Sequence, residues 1–150
     1  MSNYVKYIRN MVGNNPIILV GCGVLVCRGS KILLHRRVDN GMWATFGGCM
    51  EMGETSEETA RRELFEETGL TAGKLEFLGI FSGSDMFYTY PNGDQVHCVC
   101  IEYICTDFAG EMSPQADEVL EFRWFDINKL PPNINPTNKP ALAALKEKIC

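Results

Sequence analysis

The residues best equipped for chemistry crowd into GGCMEMGETSEETARRELFEETGL, residues 47–70. Seven glutamates fall within its 24 positions. Carboxylates at that density repel one another unless something positive gathers them. On a helix turning about 100° per residue, Glu63, Glu66 and Glu67 stand at i, i+3 and i+4 and share a face. Like charges so placed cost a few tenths of a kcal/mol per pair. A divalent cation would turn that repulsion into binding, and hard oxygen ligands suit Mg²⁺ or Mn²⁺. A glutamate-rich helix is also the ordinary make-up of a solvated helix with good propensity. The carboxylates alone therefore decide nothing.

Their surroundings decide more. The stretch obeys G-x5-E-x7-R-E-U-x-E-E-x-G-U, where U is a bulky aliphatic residue. Gly48, Glu54, Arg62, Glu63, Leu64, Glu66, Glu67, Gly69 and Leu70 match it. At about 5–7% usage per residue type, a chance match at one position is on the order of 10⁻⁹. This pattern is the Nudix box, and the chain resembles the Nudix hydrolase family. The box runs from Gly48 to Leu70, and the order of expected strands and helices extends the resemblance to nearly the whole chain.

The resemblance implies an α/β fold, a Nudix-type α/β/α sandwich with a central mixed β-sheet. It also implies hydrolysis of a nucleoside diphosphate linked to another group, with Mg²⁺ or Mn²⁺ as cofactor. Carried over residue by residue, it implies metal ligation by Glu66, Glu67, the Gly48 carbonyl and Glu63, the last as a ligand or as the base that activates water. Arg62 is implied to orient a glutamate, its i+4 partner being Glu66, and Glu54 to hold the loop before the helix. Gly47 and Gly48 lack side chains, so backbone can approach metal and phosphate closely.

These groups need a scaffold. Thr55 with Glu58 three residues on matches a capping box, and Gly69 supplies a stop, which predicts a helix over Ser56–Thr68. Ala60 and Leu64 should pack inward beside the carboxylates. Upstream, Tyr4–Met11 suits a short amphipathic helix, Ile17–Cys27 a buried strand and KILLHRR a second strand after the Arg28-Gly29-Ser30 turn. Downstream, Lys74–Phe81 reads as a strand and MFYTYPNGDQVHCVCIEYIC as a long hairpin turning at Asn92-Gly93. Val119–Phe125 reads as a further strand, and Pro140 opens a terminal helix. A chain of 150 residues fits one domain, residues 1–150.

Outside the box, ADEVLEFRWF offers Asp117, Glu118 and Glu121. Glu118 is the preferred extra carboxylate, as catalytic base or second-metal ligand, in the manner of triphosphate-cleaving relatives. Strand alternation aims one of Arg36 and Arg37 at the site, and Arg37 is preferred as a phosphate contact. His97 reads as a core or edge histidine, and Tyr88 and Tyr90 as hairpin packing with some capacity to stack on a base. His35 carries no assignment, and Trp43 should pack the base of the loop. Many relatives have W-x-x-P-G-G where this chain has WATFGG, with Phe46 in place of proline; no ligand is lost.

Composition limits the function classes. A net charge of −5 gives no electrostatic footprint for a nucleic-acid backbone, and a phosphate ligand needs local cations. No apolar run reaches the roughly 18 residues of a membrane span, and MSNYVKYIRNMVG lacks the features of a signal peptide. The seven cysteines include no C-x-x-C pair and sit mostly in apolar runs, as buried thiols in a reducing cytosol would. The expected protein is cytoplasmic and acts on a small-molecule nucleotide, with no nucleic-acid or membrane partner and a homodimer as the candidate assembly. FSGSDM lacks the proline that marks ADP-ribose cleavage, and the SQPWPFPxS marker of NADH-cleaving members is missing. The reading therefore leans towards (deoxy)nucleoside triphosphates or damaged nucleotides. ADP-ribose or nucleotide-sugar cleavage, and a non-catalytic nucleotide-sensing module, are its alternatives.

Overall fold

Alternation of small and branched apolar residues lets the segment after Pro16 bury both faces, and it becomes the spine of the sheet. The computed structural model describes residues 3–113 and 117–149. Its strands are β1 (Ile17–Arg28), β2 (Lys31–Arg37), β3 (Trp43–Ala44), β4 (Phe46–Cys49), β5 (Thr71–Ala72), β6 (Glu76–Phe81), β7 (Phe87–Thr89), β8 (Gln95–Cys105), β9 (Phe108–Ala109) and β10 (Val119–Asp126). Its helices are α1 (Asn3–Val12), α2 (Ser56–Thr68) and α3 (Lys139–Ile149).

The main sheet runs β10-β2-β1-β8-β6, with β3 beside β2, β4 beside β1 and β7 beside β8. β1 and β8 are parallel, while their other neighbours pair antiparallel, so the sheet is mixed. β5 and β9 form a separate two-stranded ribbon.

Strand alternation sorts β1 between two cores. Cys22, Val24 and Val26 join Ala60 and Leu64 of α2 on one face. Leu25 and Cys27 join Ala141, Leu142 and Leu145 of α3 on the other. The layers are therefore helix, sheet, helix, as the resemblance implies. Arg9 ties α1 to the sheet by donating to the Gln95 carbonyl.

The six described cysteines are free; Cys22, Cys27 and Cys105 are buried as expected, Cys49, Cys98 and Cys100 only half-buried, and Cys150 lies outside the described residues. No helix among the described residues is long and apolar enough to cross a membrane.

The expected elements recur with shifted ends. Lys74–Phe81 starts late, at Glu76, because Lys74 and Leu75 serve the turn held by the Asp107 carbonyl through Gly73. β3 and β4 fall in a stretch expected to be loop. Register against β1 makes β4 a strand, with Cys22 opposite Gly48 and Gly23 opposite Gly47.

Candidate active site

The glutamates divide by what they touch. Glu51 accepts from the Asn3 and Tyr4 N–H groups and so caps α1. At α2 the Thr55 hydroxyl accepts from the Glu58 N–H and the Glu58 carboxylate accepts from the Thr55 N–H, which completes the capping box. Glu57 stands 3.8 Å from Arg61. Glu54 accepts from Arg62 Nε at 2.7 Å and Nη2 at 2.9 Å, and also from the Glu51 N–H and the Thr59 hydroxyl. The Arg62 hydrogen bonds pull the Glu54 carboxyl down to about 2. Glu63, Glu66 and Glu67 are left for other work.

Arg62 links the loop to those three. Its Nη1 donates to Glu63 at 2.9 Å and to Glu66 at 3.3 Å, while Nη2 reaches the Cys49 carbonyl. A planar fork with five donors can hold a loop carboxylate and two helix carboxylates at once. The i+4 pairing with Glu66 is present but longer than the Glu54 and Glu63 bonds.

Glu63 and Glu67, one turn apart on α2, reach the Gly47-Gly48 backbone. A Cβ on Gly48 would lie 2.4 Å from the Glu63 carboxyl carbon, so glycine alone leaves that space to the glutamate. The Gly47 N–H donates to Glu67 Oε1 at 2.8 Å. Glu67 is only 4% exposed. Burial pushes its carboxyl well above the usual carboxylate range; the Gly47 N–H opposes this and the Glu63 and Glu118 charges add to it. Glu63 is raised too, by burial first, with Arg62 opposing.

His35, which carried no assignment, is a buried neighbour of Glu67. Its Nε2 lies 3.1 Å from the Thr45 carbonyl and 3.7 Å from Glu67 Oε2. A carbonyl can only accept, so Nε2 carries the hydrogen. Burial, helped by the Arg37 charge, pulls the imidazole down to about 4, so it is neutral at pH 7 and no ion pair forms. The sequence signal was a lone histidine among the apolar residues of β2, which periodicity does not distinguish from a core residue.

The other expected site residues are spread wider. Glu118 sits just before β10; its carbonyl accepts from the Val38 N–H and its charge acts on Glu63 and Glu67. Glu121 is tied to Arg36 and Arg123. Arg37 lines a cleft with Gly47, Gly48, Tyr88, Tyr90 and Glu102, but its guanidinium is held bidentately by Asp39 at 2.6–2.7 Å. Its charge is therefore partly spent before any phosphate arrives. His97 is exposed and lies against the Phe87 ring. Tyr88 and Tyr90 pack edge to face, and Trp43 is buried against Phe125. Phe46, in the place of the expected proline, stacks on the His35 ring and fills the core under the glycines. Sequence reading passed over Glu102, a single charge in the apolar run HCVCIEYIC.

The donor chemistry of Glu63, Glu66, Glu67 and the Gly48 carbonyl fits a hard divalent cation. As the side chains stand, no three Asp, Glu, His or Cys groups among the described residues converge to enclose one. Arg62 holds Glu63 and Glu66, and Gly47 holds Glu67. The single guanidinium leaves excess negative charge in a buried setting, which a cation would offset.

Residues 18–145 match the family model for the NUDIX domain. A curated relative from Pasteurella multocida, named NAD-capped RNA hydrolase NudC, is 31% identical over 89% of this chain and 48% of its own length. One of the same name from Actinobacillus succinogenes is 33% identical over 85% of this chain and 47% of its length. The chain thus spans about half the length of these relatives. Among solved structures, the MutT NUDIX hydrolase of Burkholderia pseudomallei superposes with a TM-score of 0.75 at 28% identity, covering 86% of this chain and 98% of that one. The MutT protein of Methanosarcina mazei Go1 shares the fold, with a TM-score of 0.72 at 18% identity over 89% and 96% of the two chains.

Proposed function

Since the chain belongs to the NUDIX family of hydrolases, we propose that it is a Mg²⁺-dependent pyrophosphohydrolase of nucleoside diphosphates linked to another moiety, with nucleoside triphosphates or damaged nucleotides as leading substrates. The observation that carries this reading is a pair of carboxylates one turn apart on α2, the half-buried Glu63 and the buried Glu67, that reach the Gly48 and Gly47 backbone. Glu63, Glu66, Glu67 and the Gly48 carbonyl would hold the cation. When bound, such an ion offsets diphosphate charge and lowers the pKa of a coordinated water.

The chain's own residues supply the rest. Gly47 and Gly48 bring bare backbone to the phosphates. Arg62 fixes the Glu63 carboxylate against the loop through Glu54. Glu63, whose carboxyl lies against the Gly48 backbone, is the candidate base for an attacking water. Glu118, just before β10, is a further candidate base, close enough for its charge to act on Glu63 and Glu67.

The test is a panel of nucleoside triphosphates, oxidised nucleotides, ADP-ribose and nucleotide sugars with Mg²⁺, read by mass spectrometry of products. A nucleoside monophosphate plus pyrophosphate is expected from a triphosphate. Glu67→Gln should keep the fold and cut turnover by about 10²-fold or more; wild-type turnover at normal metal affinity would remove Glu67 from the site. The relatives' name favours a second reading, a dinucleotide end such as NAD, and adding NAD to the panel separates it. FSGSDMFYTYP standing where the NADH marker belongs argues against that reading.

A further inference from the structure

Glu102 sits in the middle of β8 and is 4% exposed. Its register neighbours are both glycines, Gly23 on β1 and Gly79 on β6. Their missing side chains open a slot in the face of the sheet. The carboxyl lies over Gly23, where an added Cβ would stand 2.4 Å from Oε2 and 2.9 Å from Oε1. This face is the one opposite α2, since Cys22 and Tyr103, the flanking positions, pack towards that helix.

Among the described residues, Glu102 Oε2 is the only buried carboxylate oxygen without a hydrogen-bond partner. Buried polar atoms are nearly always paired, so an orphan of this kind calls for a partner from outside the chain. The partner has a place to stand. Glu102 lines the same cleft as Gly47, Gly48, Tyr88 and Tyr90. Gly23 on β1 stands between Glu102 on β8 and Gly47 on β4, so the carboxyl lies in the same rank as the loop glycines. Gly21 and Gly23 give a flat floor beside it, suited to a planar ring. The tyrosines close the far end of the cleft, Tyr88 pairing with Val96 on β8. No cation answers the carboxyl, because Arg37, also in the cleft, is engaged by Asp39. Burial pushes the group up to about 8, so at neutral pH it is an uncharged acid. A neutral carboxyl carries one donor and one acceptor side by side, which complements a lactam or amidine edge of a heterocycle and does not repel phosphates nearby.

We propose that Glu102 is the base-recognition residue of the cleft, its buried carboxyl exchanging hydrogen bonds with the polar edge of a substrate's nucleobase. This rests on the reading that the cleft holds a nucleotide. It goes beyond it by placing recognition of the base on one side chain of β8, across Gly23 from the loop glycine that Glu67 holds.

The probes are AMP, GMP, CMP, UMP and the base-free ribose 5-phosphate, titrated calorimetrically with Mg²⁺ present, since none of them holds a phosphoanhydride bond to be turned over. At least one nucleotide should bind the wild type about tenfold tighter than ribose 5-phosphate. Glu102→Leu should lose that gain while ribose 5-phosphate binds as before. Glu102→Gln, which keeps a donor and an acceptor, should stay within about threefold of the wild type. A second measurement needs no variant: in protein with ¹³C-labelled glutamate carboxyls, the Glu102 signal should move with the tightest nucleotide and stay still with ribose 5-phosphate. If nucleotides bind alike whatever residue stands at 102, and its carboxyl signal is unmoved, Glu102 only hydrogen-bonds water and the proposal falls by itself. If none of the five probes binds, the nucleotide reading of the cleft falls with it.

Discussion

A buried carboxyl without a cation is a thermodynamic load that varies with pH, and Glu102 makes that load measurable. Its folded value of about 8 lies above the ordinary 4.5. Between the two, the native state binds more protons than the unfolded chain, so stability falls as pH rises. The slope is at most ~1.4 kcal/mol per pH unit, and below about pH 4.5 the contribution is fully present. The groups acting with it, the Cys22 and Cys100 thiols, are themselves pushed up and stay uncharged through this window. Glu63 and Glu67 have the same sign, but both survive in Glu102→Gln. Urea midpoints at pH 5 and pH 8.5 should therefore drop less in Glu102→Gln than in the wild type; equal drops would show the carboxyl to be well solvated. At this scale legibility depended on pattern. The box glutamates could be assigned because their spacing is long and specific. Glu102 and His35 are single polar residues in apolar strands, and nothing in one dimension says that Gly23, 79 residues upstream of Glu102, leaves room for its carboxyl.

Elements place these residues to within a methyl group, and the two loop glycines show how differently that tolerance is set. A Cβ on Gly47 would meet the Cys22 carbonyl oxygen and the Gly23 Cα at 2.7 Å, both backbone of β1. The nearest atoms to a Cβ on Gly48 are at the movable end of Glu63. Gly47→Ala should thus pry β4 from β1 and lower the melting temperature by several degrees. Gly48→Ala should melt near the wild type yet lose hydrolysis, because Glu63 is displaced. Similar melting of the two variants would contradict the register between β4 and β1. Helix α2 is more forgiving: Thr55→Ala removes one cap bond and should cost about 1 kcal/mol in chemical denaturation. Helix α2 was legible to the residue because caps are local chemistry: a hydroxyl, a glutamate three on, and Gly69 at φ 80°. β3, β4, β5 and β9 were not. Each is two to four residues long, too short for any period to show, and β4 owes its strand state to β1 rather than to its own glycine-rich residues.

The whole molecule carries a net charge of −5 and concentrates part of its acidity on one helix, so its stability should respond to cations before any substrate is added. The half-buried Glu63 and the buried Glu67 have less positive charge than they need, since Arg62 is shared among Glu54, Glu63 and Glu66. An ion that binds only the native arrangement stabilises it by RT ln(1 + [L]/Kd), about 2.7 kcal/mol at 100 times Kd. For a chain of this size that is roughly 5–11 °C in melting temperature. Removal of the ion should leave the fold intact. The two cores are built from apolar side chains of β1, β2, β8, α2 and α3 without help from a metal. EDTA should therefore abolish hydrolysis and leave the circular dichroism spectrum unchanged, while Mg²⁺ added back raises the melting temperature. In Glu67→Gln the rise should shrink, whereas in Glu121→Gln, whose native carboxylate is tied to Arg36 and Arg123 away from the glutamates of α2, it should persist. An equal rise in both variants would mean that the cation binds the acidic surface at large, and Glu63 and Glu67 would then need another explanation. Unfolding in EDTA, reversed by zinc, would instead place a structural metal among the cysteines.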